Sequence, residues 1–352
     1  MGANLLIVVA TAAFQYSPQD TITSTAHGIG FERLSDIFQY NRVQGLSLGL
    51  GYRIGLAGSG FGVGYVTVRY GLSDDRLTGR LSFLRDVMGG RVALSGYSDI
   101  EDLDPFSPGR TLSNTFNGIF AGHDNGDYAM ARGGSASFET AVGAGLQLLV
   151  GTGIERQSSI RRVAESEVND FLGGSGVFPP NPPVEEGTFG AASVKLSHVI
   201  GTRWNLAADV LGGSGRTTAR LWGDLRRDVG SGPGITLRLK AGAATARALP
   251  QNLFRLGGLN TVRGFEYGVR RGPAFWAAQV DISLFAGRVR PVLFVDAGQA
   301  AEVGELLSSR ALAGGGVSLS LFSGLIRFDL SRPISPDQGG KLRFDLVMRG
   351  VR

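Results

Sequence analysis

Residues 275–285 read Phe-Trp-Ala-Ala-Gln-Val-Asp-Ile-Ser-Leu-Phe. Trp276, Ala278, Val280, Ile282 and Leu284 alternate with Gln279, Asp281 and Ser283, a period of two that puts apolar side chains on one face of a strand and polar ones on the other. A tilted strand of about ten such residues crosses the hydrocarbon layer of a membrane. The same rhythm recurs on both sides. Leu46, Leu48, Leu50, Tyr52 and Ile54 oppose Ser47, Gly49, Gly51 and Arg53, and Ile235, Leu237 and Leu239 oppose Thr236, Arg238 and Lys240. Near the C-terminus Leu342, Phe344, Leu346 and Met348 oppose Arg343, Asp345 and Arg349.

Counted backwards, strands are expected near 341–350, 324–332, 311–322, 289–299, 274–286, 233–244, 217–227, 203–213, 188–198, 142–155, 127–139, 89–98, 76–85, 60–70 and 44–55, fifteen in all. Single-chain bacterial barrels close with an even number. A sixteenth strand is therefore expected within residues 1–40, around 4–14. With the last strand ending on the inner side, the connections 99–126, 157–187, 245–273, 300–310 and 333–340 emerge on the outer face. The turns at 56–59, 86–88, 140–141, 199–202, 228–232, 287–288 and 323 all fall on the inner face. Such sorting belongs to transmembrane barrels and has no reason to occur in a soluble sandwich. The fold class is all-β, a transmembrane antiparallel barrel of sixteen strands.

Composition agrees. Of 352 residues 55 are glycine, roughly double the usual share of about 7%, with no collagen-like triplet. Lys and Arg number 35 against 30 Asp and Glu, without the concentrated basic patch that nucleic acid requires. There is no cysteine, hence no disulfide frame or thiolate metal site. No apolar run reaches the about eighteen residues of a helical span. The longest, Leu5 to Phe14, reads either as a first strand or as the tail of a signal peptide without its basic start. The domain reading is an N-terminal segment 1–40, with one short helix between Phe31 and Phe38, and a barrel over 41–352. The acidic, proline-broken stretch 99–110 and the proline-rich 172–187 read as irregular, solvent-exposed segments.

One connection is unlike the others. Phe254-Arg255-Leu256-Gly257-Gly258 is followed by Thr261-Val262-Arg263-Gly264-Phe265, then Gly268 and Gly272. Phe294-Val295-Asp296-Ala297-Gly298 comes one strand later. Both elements resemble the bacterial surface antigen superfamily, the outer-membrane assembly and two-partner secretion barrels of the BamA, TamA and FhaC type. In that family the loop before strand twelve of sixteen folds into the lumen with a Val-Arg-Gly-Phe/Tyr tip, and a Phe-x-Asp-x-Gly on strand thirteen receives its arginine. The resemblance implies a functional loop and latch of Val262, Arg263, Gly264, Phe265 and Asp296. It also implies location in the bacterial outer membrane, a role in inserting or translocating client polypeptides, and a weak seam between first and last strands. Accessory lipoproteins or separate POTRA-bearing chains are implied partners, beside outer-membrane lipid. The chain departs from the family in leaving no room for preceding POTRA domains, a POTRA-less barrel, and in ending Val351-Arg352.

Against the latch stands an arginine at an exposed glycine-rich turn. The other inward charges, Arg238, Lys240, Asp281, Arg327, Asp329, Arg343 and Asp345, read either as a conduit lining or as a mutually paired interior, since an unpaired charge away from water is costly. No enzyme, metal or cofactor is expected. No serine has glycine two positions away on both sides, and His27, His123 and His198 lack ligand spacing. His123-Asp124-Asn125-Gly126-Asp127 reads as a tight turn. Two further functions stay open: the membrane barrel of a larger fused lipase or peptidase, and a passive pore.

Overall fold

The structure, a computed structural model, describes residues 27–56, 62–213, 215–230, 233–334 and 341–348. The wall begins with β1 (Phe38–Asn41), β2 (Gly45–Gly55), β3 (Val63–Gly71), β4 (Arg76–Val87) and β5 (Gly90–Asp102). It continues with β6 (Tyr128–Gly143), β7 (Leu146–Ser159), β8 (Gly187–His198), β9 (Arg203–Gly213), β10 (Arg216–Val229) and β11 (Gly234–Ala244). The last five are β12 (Ala274–Ser283), β13 (Val289–Ala301), β14 (Leu312–Leu321), β15 (Ile326–Pro333) and β16 (Arg343–Met348). Each pairs antiparallel with the next.

The sixteenth strand is β1, and it is split. Phe38–Asn41 and a second piece, Gly28–Ile29, pair with the same edge of β2. Between them the chain leaves the ladder and returns by pressing its backbone on two glycines. A Cβ at Gly49 would overlap the Asp36 carbonyl, and one at Gly51 the Gly30 carbonyl. Of the short helix expected between Phe31 and Phe38, one 3-10 turn is present, Leu34–Asp36. The expected strand around 4–14 lies outside the described residues.

Burial is inverted relative to a soluble protein. Leu50 and Ile154 are 66% and 61% exposed on the outer surface, whereas Arg220 and Asp296 are 3% and 1% exposed within. Strands in lipid must satisfy their backbones through neighbouring strands and face apolar residues outward, which is what the period of two supplies. The long connections 103–127, 160–186, 245–273 and 302–311 share one end of the barrel, and the short turns 88–89, 144–145 and 322–325 share the other.

The stretch 99–110 corrects its expectation. Asp99, Glu101, Asp102 and Asp104 are all buried, and arginines meet Asp99 and Glu101 inside. Arg69 binds Asp99 at 2.6 Å, Arg80 pairs with Glu101, and Arg110 bridges both at 2.9 Å. The segment 103–127 folds over the lumen as a lid. It contains helix α1 (Leu112–Phe116), capped by Thr111 accepting from the Asn114 amide and continued by one π-helical stretch, Asn117–Ala121.

Candidate functional site: an inturned hairpin and a seam

The connection 245–273 turns into the lumen. Phe254–Leu256 pairs with Arg270–Gly272, Arg255 opposite Arg271. The reversal at Gly257 and Gly258 uses φ of +109° and +82°, a region that L side chains avoid, and Thr261 Oγ1 closes it by donating to the Gly257 carbonyl at 2.8 Å. Apolar contact holds the hairpin down. Phe254 stacks on Phe275 of β12 with ring centroids 4.7 Å apart, and Phe106 of the lid meets Phe275 at 5.2 Å. Leu256, Val262 and Phe265 complete this buried cluster. Burying each such side chain stabilises by roughly 1.5–3 kcal/mol.

At the tip, Arg263 is 1% exposed. Its Nε and Nη2 donate to the two carboxylate oxygens of Asp296 at 2.7 and 2.6 Å, and its backbone N–H donates to Asp296 Oδ2 at 2.9 Å. Nη2 also reaches Asp281 at 2.7 Å, Nη1 lies 3.6 Å from Asp329, and the guanidinium carbon sits 3.7 Å from the Phe294 ring centroid. Such a bidentate, ring-stacked geometry suits arginine and not lysine. Burial would lower the Arg263 pKa; Asp296 first, then Asp281 and Asp329, reverse this and raise it. Gly264 is required at φ +91°, where a Cβ would lie 2.6 Å from the Arg332 carbonyl carbon.

The neighbouring wall charges balance the tip. Arg238 and Arg327 each bind Asp281 at 2.8 Å, and Arg327 binds Asp329 at 2.7 Å. With Arg263 and Asp296 that makes three guanidiniums against three carboxylates, a neutral set of the kind a low-dielectric interior tolerates. Lys240 stands apart. Its Nζ donates to the Asn260 carbonyl at 2.6 Å and lies 5.1 Å from the Phe106 ring centroid, so it ties β11 to both hairpin and lid. Replacing Lys240 with methionine keeps the stem and removes one charge-assisted bond, so a loss of about 1.5–3 kcal/mol is expected in urea unfolding. Asp345 is buried near His123 Nδ1 at 3.4 Å, and Arg343 is half-buried on the same strand.

Several residues were not anticipated. Asp124 and Asp127, read as part of a tight turn, are buried in a segment without regular structure, because arginines from distant segments converge on them. Arg42 binds Asp124 at 3.3 Å, and Arg255 and Arg271 bind Asp127 at 3.0 and 3.1 Å. Burial raises the Asp104 carboxyl above its usual range against the pull of Arg255, and Tyr267 Oη donates to it at 2.9 Å.

The first and last strands also meet in an unexpected way. Among the described residues no ladder joins β16 to β1. Helix α1 and its continuation lie against both. Ser113 and Asn117 hydrogen-bond the backbone of Met348 and Leu346, and Thr115 Oγ1 accepts from the Tyr40 amide of β1 at 3.2 Å. A threonine followed by Leu112, Phe116 and Phe120 was the available signal for this helix.

Residues 14–207 match a family of unknown function (DUF5686), C-terminal domain. No curated protein matches the sequence. Among solved structures, BamA from Haemophilus ducreyi lacking POTRA domains 1–3 aligns over 88% of this chain and 68% of its own, with a TM-score of 0.60 and 14% identity. CdiB from Acinetobacter baumannii and CdiB from Escherichia coli each align over 88% of this chain, with TM-scores of 0.48 and 14% identity. The chain spans 57% and 60% of those two. The fold is thus that of the BamA-like barrels.

Proposed function

This chain belongs to the DUF5686 family of unknown function as its C-terminal domain, and from that premise we propose that it is a bacterial outer-membrane barrel that inserts polypeptides into that membrane or passes them across it. The seam carries this reading. A barrel whose purpose is closure pairs its last strand with its first, since an open edge in lipid is costly. Among the described residues β16 and β1 are bridged by side chains of a short helix and not by a ladder, an arrangement that can be exchanged for another strand.

The lumen speaks against a passive pore. The hairpin and lid occupy its outer half through the aromatic cluster and the Asp124–Asp127 junction. A cavity of about 220 Å³ remains toward the short-turn end, lined by Arg226, Asp228, Arg238, Asp281, Arg290 and Arg327. Client polypeptides, with accessory lipoproteins or POTRA-bearing chains, are the partners of this reading.

Depleting the protein in the bacterium that encodes it, with quantitative mass spectrometry of outer-membrane and secreted fractions, tests it. A subset of polypeptides should fall severalfold. Unchanged polypeptides with slower uptake of small solutes would replace transport by the pore.

A further inference from the structure

At the short-turn end of the lumen, guanidinium groups outnumber the carboxylates that answer them. Arg203, Arg226 and Arg238 stand directly opposite one another on β9, β10 and β11. Like charges in facing positions destabilise a sheet, so this row calls for anions beside it. On the other side, Arg290 of β13 stands opposite Ser320 of β14, and Ser320 opposite Arg327 of β15. The cavity of about 220 Å³ is lined by members of both rows and reaches the turns at Gly230 and Gly324.

Part of this charge is already answered. Arg238 and Arg327 belong to the neutral set around Arg263, through Asp281 and Asp329. What remains is Arg203, Arg226 and Arg290 against Asp228, whose carboxylate accepts from Arg203 Nη2 and from Nε and Nη2 of Arg226. Three guanidiniums against one carboxylate leave two positive charges over on this part of the wall. Arg290 has no hydrogen-bond or ion-pair partner among the described residues, and its Nε is buried. Arg327 Nε is likewise buried and unpartnered. Ser320, 5% exposed, adds a hydroxyl between these two arginines. A buried donor without an acceptor is costly, and two such donors sit on residues that line one cavity.

We propose that this cavity binds a doubly charged tetrahedral oxyanion, a phosphate group, with Arg290, Ser320 and Arg226 as its ligands and Arg238 and Arg327 as flanking donors. The surplus sets the charge: a dianion neutralises it, and a monoanion leaves half of it standing. Placement sets the shape. The donors come from β10 and β11 on one side and from β13, β14 and β15 on the other. A carboxylate offers its two oxygens in one direction and fills one guanidinium fork, whereas a tetrahedral oxyanion offers oxygens to both sides at once. Size agrees, since about 220 Å³ holds roughly seven waters at about 30 Å³ each. That is room for one phosphate group and part of its hydration. The site stands whether or not the barrel moves polypeptides.

The test titrates the full chain, in micelles of an uncharged detergent and a chloride buffer, with inorganic phosphate, read by calorimetry and by the urea midpoint. Ionic strength is held constant so that general screening does not change. The wild type should show saturable binding and unfold at higher urea with phosphate present, as any ligand of the folded state requires. Arg290→Gln breaks no bond among the described residues, so it should fold, and it should weaken phosphate binding at least about tenfold. Arg216→Gln, on the outer face beside Glu185, should leave binding unchanged. Sulfate should compete, and acetate should not. Two arms separate the sources of the group. Binding of inorganic phosphate and glycerol 3-phosphate that phosphatidic acid in mixed micelles does not displace assigns the site to a free phosphate. Displacement by phosphatidic acid at about a tenth of their concentration or less assigns it to a lipid headgroup. Undiminished binding by Arg290→Gln, acetate binding as tightly as phosphate, or no saturable binding of phosphate overturns the proposal.

Discussion

Arg263→Ala is expected to free the inturned hairpin and to destabilise the barrel by about 3–5 kcal/mol, the cost of leaving a buried ion pair without one partner. The charge set around the tip would pass from three against three to two guanidiniums, Arg238 and Arg327, against Asp281, Asp296 and Asp329. Asp296 suffers most, because its remaining side-chain donor is Gln279 Nε2 at 3.4 Å. The cheapest relief is for the hairpin to lift so that water reaches the carboxylate. Two measurements follow: urea unfolding in micelles, and chymotryptic cleavage after Phe265, now 5% exposed. Cleavage should appear in the variant and not in the wild type. Arg263→Lys keeps the charge but loses the fork and the stack on Phe294, so it should fall between the two. Adding Asp296→Ala to Arg263→Ala restores neutrality and should cost less than the two single changes summed. An Arg263→Ala protein that unfolds within about 0.5 kcal/mol of wild type, the scatter of surface substitutions, and resists chymotrypsin would remove the latch from this account.

The strands were legible because alternation is a local property. Lipid outside and a polar lumen inside sort every wall residue into one of two classes, and Val280, Asp281 and Ile282 declare their sides without knowledge of any neighbour. The meeting of Arg263 with Asp296 was legible through the two motifs. Its wider partnership was not. Asp281 on β12 and Asp329 on β15 reach the same guanidinium only because strand tilt brings different positions to one height, and tilt is a property of the whole wall and not of any one strand.

The stretch 99–127 was misread for a related reason. Asp99, Glu101 and Asp104 read as part of a solvent-exposed acidic segment, and Asp124 and Asp127 as a tight turn, until the arginines near them are in place, and Arg255 lies 128 residues from Asp127 along the chain. Helix α1, five residues before its π-helical continuation, is too short for periodicity to declare it. The broken first strand was hidden similarly, since Phe38–Asn41 alternates over only four residues and depends on Gly49 and Gly51 across the ladder.

Gly314→Ala tests the latch without altering a charge. In the register of the wall Gly314 stands directly opposite Asp296, and the tip of the hairpin crosses over it, so that a Cβ would overlap the carbonyl oxygen of Arg263. That oxygen belongs to backbone held by the Arg263 N–H bond to Asp296, and it cannot swing aside as a long side chain would. The methyl group and the docked tip therefore exclude each other. The wall is a continuous ladder on both sides of this position, so the tip is the part that yields, giving up its pairs with Asp296, Asp281 and Asp329 together. The expected cost is about 3–5 kcal/mol from the broken buried pairs, and trypsin should cut after Arg263, which it cannot reach in the wild type. Arg263→Ala removes the trypsin site and Gly314→Ala keeps it, so the two variants report hairpin release through different bonds and different proteases. A Gly314→Ala protein that stays uncut at Arg263 would mean that the wall bends to admit the methyl group, and that the hairpin is held far more firmly than its three ion pairs imply.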